Sequence, residues 1–359
     1  MTKRIGIAVL LLLILVAGWA VYLYWVAGQF KTIEPHFSGK CRAVAGVVGP
    51  EDITIHPKTG VAFVSGCDRR AIQEGRAGGG AIYAYDLNVV TSDPVNLTRD
   101  ADRDFRPHGI SLFVGEAGHD VLFVINHQGG EHRIEVFDLK EGEMTHRQTL
   151  NSPMLVSPND IVGVAPEAFY VTNDHRYPSG WRRTLEDYLR LRRSNVLFYN
   201  GSEFVQAASG IGYANGINVS PDGGTLYVCS ITEGGLHVYD RDPLSGRIEH
   251  REEIDLDTGV DNVEVDEEGG LWIGAHPQLL TTRRHYEDPS SLSPSQVLHL
   301  TPQENGGYDV EEVYLDEGDD DKARAELDAC LRADLQQGDF ADNKRMQPLC
   351  ERLRKNVDD

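Results

Sequence analysis

Cationic side chains are scarce in this 359-residue sequence, where 34 Lys and Arg face 56 Asp and Glu and leave a formal net charge of −22. A nucleic-acid surface needs Lys and Arg to neutralise phosphates, so this balance argues against a nucleic-acid partner. Cysteine is sparse as well. Cys41, Cys67, Cys229, Cys330 and Cys350 show no Cys-x-x-Cys spacing, which leaves zinc-ribbon and thioredoxin-like redox chemistry without support. A disulfide stays open if the compartment is oxidising. No Gly-x-Ser-x-Gly elbow occurs, which argues against a serine esterase. Disorder is not the default for a chain with 40% hydrophobic residues, 14 Tyr, 11 Phe and 4 Trp, because that content can bury a large core.

The longest absence is of charge. From Ile5 to Gly28 no ionisable carboxylate or cation occurs. About 20 apolar residues cross a bilayer, whereas the apolar core of a cleaved signal peptide has only about 7–15. Residues 1–29 therefore read as an uncleaved, single-pass signal anchor, with Trp19, Tyr22, Tyr24 and Trp25 toward the far interface. Lys3 and Arg4 belong on the cytoplasmic side, which sends the rest of the chain to the extracytoplasmic side. Lys31 weakens that asymmetry slightly.

Beyond the anchor, short β-rich segments recur: Gly60-Val-Ala-Phe-Val, Asp120-Val-Leu-Phe-Val-Ile, Ala168-Phe-Tyr-Val-Thr, Thr225-Leu-Tyr-Val-Cys and Gly270-Leu-Trp-Ile-Gly. Their aromatics, Phe63, Phe123, Tyr170, Tyr227 and Trp272, are 45 to 60 residues apart, the period of propeller blades with insertions. A further β-like segment follows each of them, such as Ala81-Ile-Tyr-Ala-Tyr and Leu236-His-Val-Tyr. The expected fold is all-β, a six-bladed β-propeller over 30–316, with five blades readable and a sixth required. That sixth is atypical or incomplete. After Asp316 an acidic stretch leads into Ala323-Arg-Ala-Glu-Leu-Asp-Ala-Cys-Leu-Arg-Ala-Asp-Leu, whose leucines repeat at helical spacing. Residues 317–359 thus read as a helical tail in place of closing strands, unless residues around 40–48 complete the blade.

Four oxygen-rich clusters sit beside the strands: Glu51-Asp52, Asn159-Asp160, Asn215 to Asn218, and Asp261-Asn262. A hard cation such as calcium takes six to eight oxygens, while zinc would call for His and Cys. Taken singly each pair is an ordinary turn sequence. In four different blades they would converge at one end of the propeller axis.

Eight segments together resemble, in order and at similar spacing, the motifs of the serum paraoxonase/arylesterase family: Glu51-Asp-Ile-Thr-Ile, Pro107-His-Gly-Ile-Ser111, Val124-Ile-Asn-His127, Pro158-Asn-Asp-Ile-Val162, Phe169-Tyr-Val-Thr-Asn-Asp-His175, Ala214-Asn-Gly-Ile-Asn-Val-Ser-Pro-Asp-Gly223, Val260-Asp-Asn-Val263 and Leu271-Trp-Ile-Gly-Ala-His-Pro277. The resemblance covers roughly residues 40–315. It implies two calcium ions in the tunnel. A catalytic ion would be held at Glu51, Asn159, Asn215, Asp261 and Asn262, and a structural one at Asp52, Asp160 and the carbonyl of Ile110. It also implies a His108–His127 dyad as general base, with Glu51 or Asp261 as the alternative base, and His175 and His276 lining the pocket or supporting the ligands. Family members close the last blade with C-terminal strands and a disulfide, for which Cys41 with Cys350, or Cys41 with Cys330, are the pairs available here. The helical tail departs from that pattern.

The expected activity is calcium-dependent hydrolysis of small ester or lactone substrates. The alternatives are a gluconolactonase-like activity and a catalytically silent, membrane-tethered calcium-binding propeller. The Arg-rich segment Trp181 to Arg193 reads as a lid helix over the tunnel mouth, amphipathic and facing lipid or substrate, or simply solvated.

Overall fold

In the computed structural model, residues 2–318 are described except 40, 42, 90–92, 102–103, 116–117, 141, 289 and 304–305. The charge-free run forms one exposed helix, α1 (Thr2–Val26), long and apolar enough to cross a membrane. A two-residue strand, β1 (His36–Phe37), follows. Then come four sheets of four strands each. Blade 1 holds β2 (Pro50–Ile55), β3 (Val61–Cys67), β4 (Gly80–Asp86) and β5 (Val95–Asn96), with the short helix α2 (Arg69–Gln73) after β3. Blade 2 holds β6 (Pro107–Phe113), β7 (Asp120–Asn126), β8 (Arg133–Lys140) and β9 (Glu143–Asn151). Blade 3 holds β10 (Pro158–Ala165), β11 (Ala168–Asn173), β12 (Ser194–Tyr199) and β13 (Phe204–Ile211), with α3 (Trp181–Tyr188) between its second and third strands. Blade 4 holds β14 (Ala214–Val219), β15 (Thr225–Ser230), β16 (Gly235–Arg241) and β17 (Ile248–Asp255). The fifth sheet holds β18 (Gly259–Val265), β19 (Leu271–His276), β20 (Ser295–Pro302) and β21 (Tyr308–Asp316), with α4 (Leu279–Glu287) inserted, and β1 adds to its outer edge against β21.

The first strands of successive blades, β2, β6, β10, β14 and β18, pack side by side around the axis. Apolar side chains fill the spaces between blades. Phe63, Ile110 and Leu122 join blades 1 and 2, and Phe123, Ile161 and Phe169 join blades 2 and 3. Tyr170, Val196 and Leu226 join blades 3 and 4, and Tyr227, Leu236 and Ile273 join blades 4 and 5. The five aromatics that set the sequence period all lie on the second strand of a blade, and Phe63, Phe123, Tyr170 and Tyr227 are buried there while Trp272, in the last blade, is only partly covered.

The expected count of six is not met. Among the described residues there are five blades. The strands after Trp272 finish the fifth sheet, and the segment expected to complete a sixth, 40–48, contains no described strand. That segment instead bridges the gap: Cys41 packs on Val297 and Tyr314 of blade 5, while Val47 packs on Ile53 and Val64 of blade 1. The predicted tail helix, Cys330 and Cys350, and with them either disulfide pairing, lie outside the described residues.

Candidate metal centre and histidine chain

Every first strand breaks register with its neighbour at the same place, between Pro50 and Ile53, Pro107 and Ile110, Pro158 and Ile161, Ala214 and Ile217, and Val260 and Val263. The residues caught in these irregularities are Glu51-Asp52, His108-Gly109, Asn159-Asp160, Asn215-Gly216 and Asp261-Asn262. The polar pairs expected in loops are therefore inside strands, at bulges. A bulge interrupts the alternation of side chains between faces and re-aims them. The repeat aims one residue of each pair at the axis: Glu51, His108, Asn159, Asn215 and Asp261 all line one cavity of about 1190 Å³.

The second residues follow a different rule. Asp52 accepts from its own neighbour, Ile53 N–H, at 2.8 Å and from Ile110 N–H in the next blade at 2.7 Å. Asp160 repeats this with Ile161 N–H and with Ile217 N–H of the next blade, both at 2.8 Å. The blades that receive these bonds carry glycine. A Cβ on Gly109 would stand 2.6 Å from the Asp160 Cα, and one on Gly216 would stand 2.5 Å from the Asp261 carbonyl oxygen. Carboxylates thus alternate with glycines so that neighbouring strands close on the axis.

The oxygens are short of donors. Glu51 Oε2, Asn159 Oδ1, Asn215 Oδ1 and Asn262 Oδ1 are buried without any hydrogen-bond partner. A buried acceptor left unsatisfied costs about 1–3 kcal/mol, and a cation shared by these oxygens would supply the missing partner. Burial, followed by the nearby Asp52, raises the Asp160 carboxyl well above the ordinary range. Repulsion of this kind is what a cation relieves. A set of carboxylates and amide oxygens fits a hard divalent ion. Ile110, expected through its carbonyl, stands next to Asp52 through its N–H bond.

Behind Glu51 runs a line of imidazoles. His108 Nε2 is 3.2 Å from Glu51 Oε1, His108 Nδ1 is 3.1 Å from His127 Nε2, and His127 Nδ1 is 2.7 Å from His132 Nδ1. Burial first, then the neighbouring His108 and His132, holds His127 well below the ordinary imidazole value. His132 is lowered mainly by burial. Sequence reading missed His132, which belongs to no motif; its one signal was a third histidine shortly after His127. His276 lines the cavity and bonds Asp261 Oδ2 at 3.0 Å.

His175 is buried and held between Asp174 Oδ1 at 2.8 Å and Asp187 Oδ1 of α3 at 2.7 Å. Burial opposes its charge, but the two carboxylates prevail and lift its pKa to about 9. Arg183 of α3 adds a bond to Asp174 Oδ2 at 3.0 Å. The lid helix is shorter than the Arg-rich run: it stops at Tyr188, and Arg190 takes a left-handed φ of 49°. The arginines beyond it serve as ties. Arg190 donates to Tyr22 Oη of α1 at 2.6 Å and to the Thr232 carbonyl at 2.8 Å. On the same side, Trp19 donates to the Tyr188 carbonyl at 3.0 Å, and Leu279 N–H to the Ala27 carbonyl at 3.0 Å. The base of α1 is thereby docked between α3 and α4, where Ala20, Leu23 and Tyr24 form part of the cavity wall.

Residues 31–322 match the model of the Arylesterase family. Serum paraoxonase/arylesterase 2 of Gallus gallus is 33% identical over 297 residues, spanning 80% of this chain and 83% of that protein. Serum paraoxonase/arylesterase 1 of Homo sapiens is 33% identical over 298 residues, again spanning 80% of this chain and 83% of that protein.

Proposed function

This chain belongs to the arylesterase family, and on that premise we propose that it is a membrane-anchored, calcium-dependent hydrolase of carboxylic esters and lactones. One observation carries the calcium part of this reading: four buried oxygens at the propeller axis, on Glu51, Asn159, Asn215 and Asn262, lack any donor. With Asp261 they would hold one ion; Asp52, Asp160 and the Ile110 carbonyl would hold a second.

Calcium, when bound, supplies positive charge that polarises the ester carbonyl and stabilises the oxyanion. The chain supplies the rest. His108 faces the cavity and takes a proton from the attacking water as its oxygen bonds to the acyl carbon. The acyl C–O bond then breaks, and the proton is returned to the departing alkoxide. His127 orients His108 through their shared hydrogen bond. His127 and His132 stay neutral near pH 7, so each can accept on one nitrogen while donating on the other. His276 orients Asp261. In this reading α1 spans the bilayer with Lys3 and Arg4 on the cytoplasmic side and the propeller outside.

Turnover of phenyl acetate and of a lactone by the full chain in detergent, with calcium and then with a chelator, tests the proposal. Hydrolysis that disappears on chelation and returns with calcium is expected. A folded, calcium-loaded protein with no turnover would leave the silent calcium-binding propeller as the reading. His108→Gln separates the bases: a loss of about 10²-fold or more in kcat fits His108, and a smaller loss assigns the role to Glu51 or Asp261.

A further inference from the structure

Blade 4 carries a second convergence of ligand atoms, on its two outer strands and away from the axis. His237 lies on β16, and His250 and Glu253 lie on β17. One ligand atom from each falls within 4.8 Å of the others. Residues three apart on a regular strand face opposite sides. Here the pairing shifts by one residue opposite Val238 and Tyr239, and this bulge turns His250 and Glu253 to the same side. The device is the one used at the axis, on a different pair of strands.

The tautomer of His237 follows from its partners. Glu233 Oε2 accepts from His237 Nε2 at 3.0 Å, from Gly212 N–H at 2.6 Å and from Ser230 Oγ at 2.8 Å. That oxygen already accepts from a backbone N–H and a hydroxyl, so Nε2 is the ring nitrogen that donates to it and Nδ1 is left to present a lone pair. That lone pair faces Glu253 Oε1 at 3.6 Å, and His250 Nε2 stands 3.9 Å from the same oxygen. Both separations are too long for hydrogen bonds. They are close to the roughly 3.3 Å between ligands that bonds of about 2.0 Å give in a tetrahedral site. Arg192 ties down both carboxylates, Glu233 and Glu253. Two carboxylates against one guanidinium leave the cluster negative.

We propose that His237, His250 and Glu253 form a binding site for a zinc-like divalent cation, with one coordination position open. Two imidazole nitrogens and one carboxylate suit zinc and disfavour calcium, which takes six to eight oxygens. Glu233 orients the buried ligand from behind, as carboxylates commonly do for metal-bound histidines. The bound ion clamps β16 to β17. Through Glu233 the clamp reaches the turn holding Ile231 and Thr232, which line the central cavity.

The test uses the full chain, calcium-loaded and stripped of transition metals, titrated with zinc in competition with a chromogenic chelator. One zinc per chain that excess calcium does not displace is expected, together with a rise in Tm. His250 is half-exposed, so His250→Ala leaves the core intact. That variant and Glu253→Gln should each weaken zinc at least about tenfold and abolish the rise in Tm, and Glu233→Gln should weaken it about 10–100-fold. Ester turnover in calcium should be unchanged in His250→Ala and Glu253→Gln, so the result stands apart from the proposed hydrolase activity. Absence of stoichiometric zinc uptake, or uptake that persists in His250→Ala and Glu253→Gln, overturns the proposal.

Discussion

The junctions between successive blades from 1 to 5 differ in kind from the seam where blade 5 meets blade 1. The four successive junctions are filled by large apolar side chains contributed by both blades. At the seam, among the described residues, no apolar cluster spans the two blades. Cys41 and Val47, six positions apart in the sequence, pack one on each side. The direct links are polar: Asn262 Nδ2 donates to the Glu51 carbonyl at 3.4 Å, and Arg70 of α2 meets His285 Nε2 of α4 at 3.0 Å. Glu51 and Asn262 also carry two of the four donor-less oxygens. With five blades among the described residues, the physical candidates for holding this seam are the N-terminal segment and the proposed axial ion.

Three perturbations would break or sharpen that contrast, and a fourth tests the lid outside it. Phe123, 1% exposed between blades 2 and 3, should cost about 3–5 kcal/mol when cut to alanine. Urea unfolding checks this, and the loss should be the same with and without calcium. Asp261→Ala removes a carboxylate beside the seam and should lower turnover about 100-fold, about 2.7 kcal/mol of barrier. A calcium titration of activity should show the mid-point rising in the same variant.

Chelation should cost about 2 kcal/mol relative to calcium at tens of times its Kd. Amide exchange should then rise first in 44–53 and 259–265, with β7 and β11 unmoved. An even rise over all blades would remove the proposed metal from any special role at the seam.

The smallest effect belongs to neither kind of junction. His175→Gln loosens α3 from blade 3 and should cost about 1.5 kcal/mol near neutral pH. The His175 pKa is raised from 6.5 to about 9 in the folded protein, so its stabilisation is complete below about pH 6.5 and is lost as pH rises through 9. Wild type should therefore lose more stability than the variant between pH 7 and 10, by thermal unfolding. Parallel curves would show that the imidazolium does not hold the lid.

Much of the fold could be read ahead of the structure because propeller strands are local objects. Phe63, Phe123, Tyr170, Tyr227 and Trp272 announce their strands through β-branched neighbours and a preceding turn, and all five are second strands. The oxygen pairs were readable as chemistry, yet not as bulges, since a bulge exists only relative to a paired strand. The same limit hid the cluster on blade 4: His250 and Glu253 are three apart, a spacing that a regular strand would separate. His132 and Asp187 lay outside every motif, and only packing brings them to His127 and His175.

The amino-acid sequence by itself determined the charge-free helix, the all-β repeat and the family, because each depends on residue type and near-neighbour spacing. Tertiary structure alone decided the number of blades, the seam and the alternation of Asp52 and Asp160 with Gly109 and Gly216. Those features depend on which strand pairs with which, and in what register. Closure of the ring is a property of distant segments meeting, and no local pattern encodes the distance left between the last blade and the first.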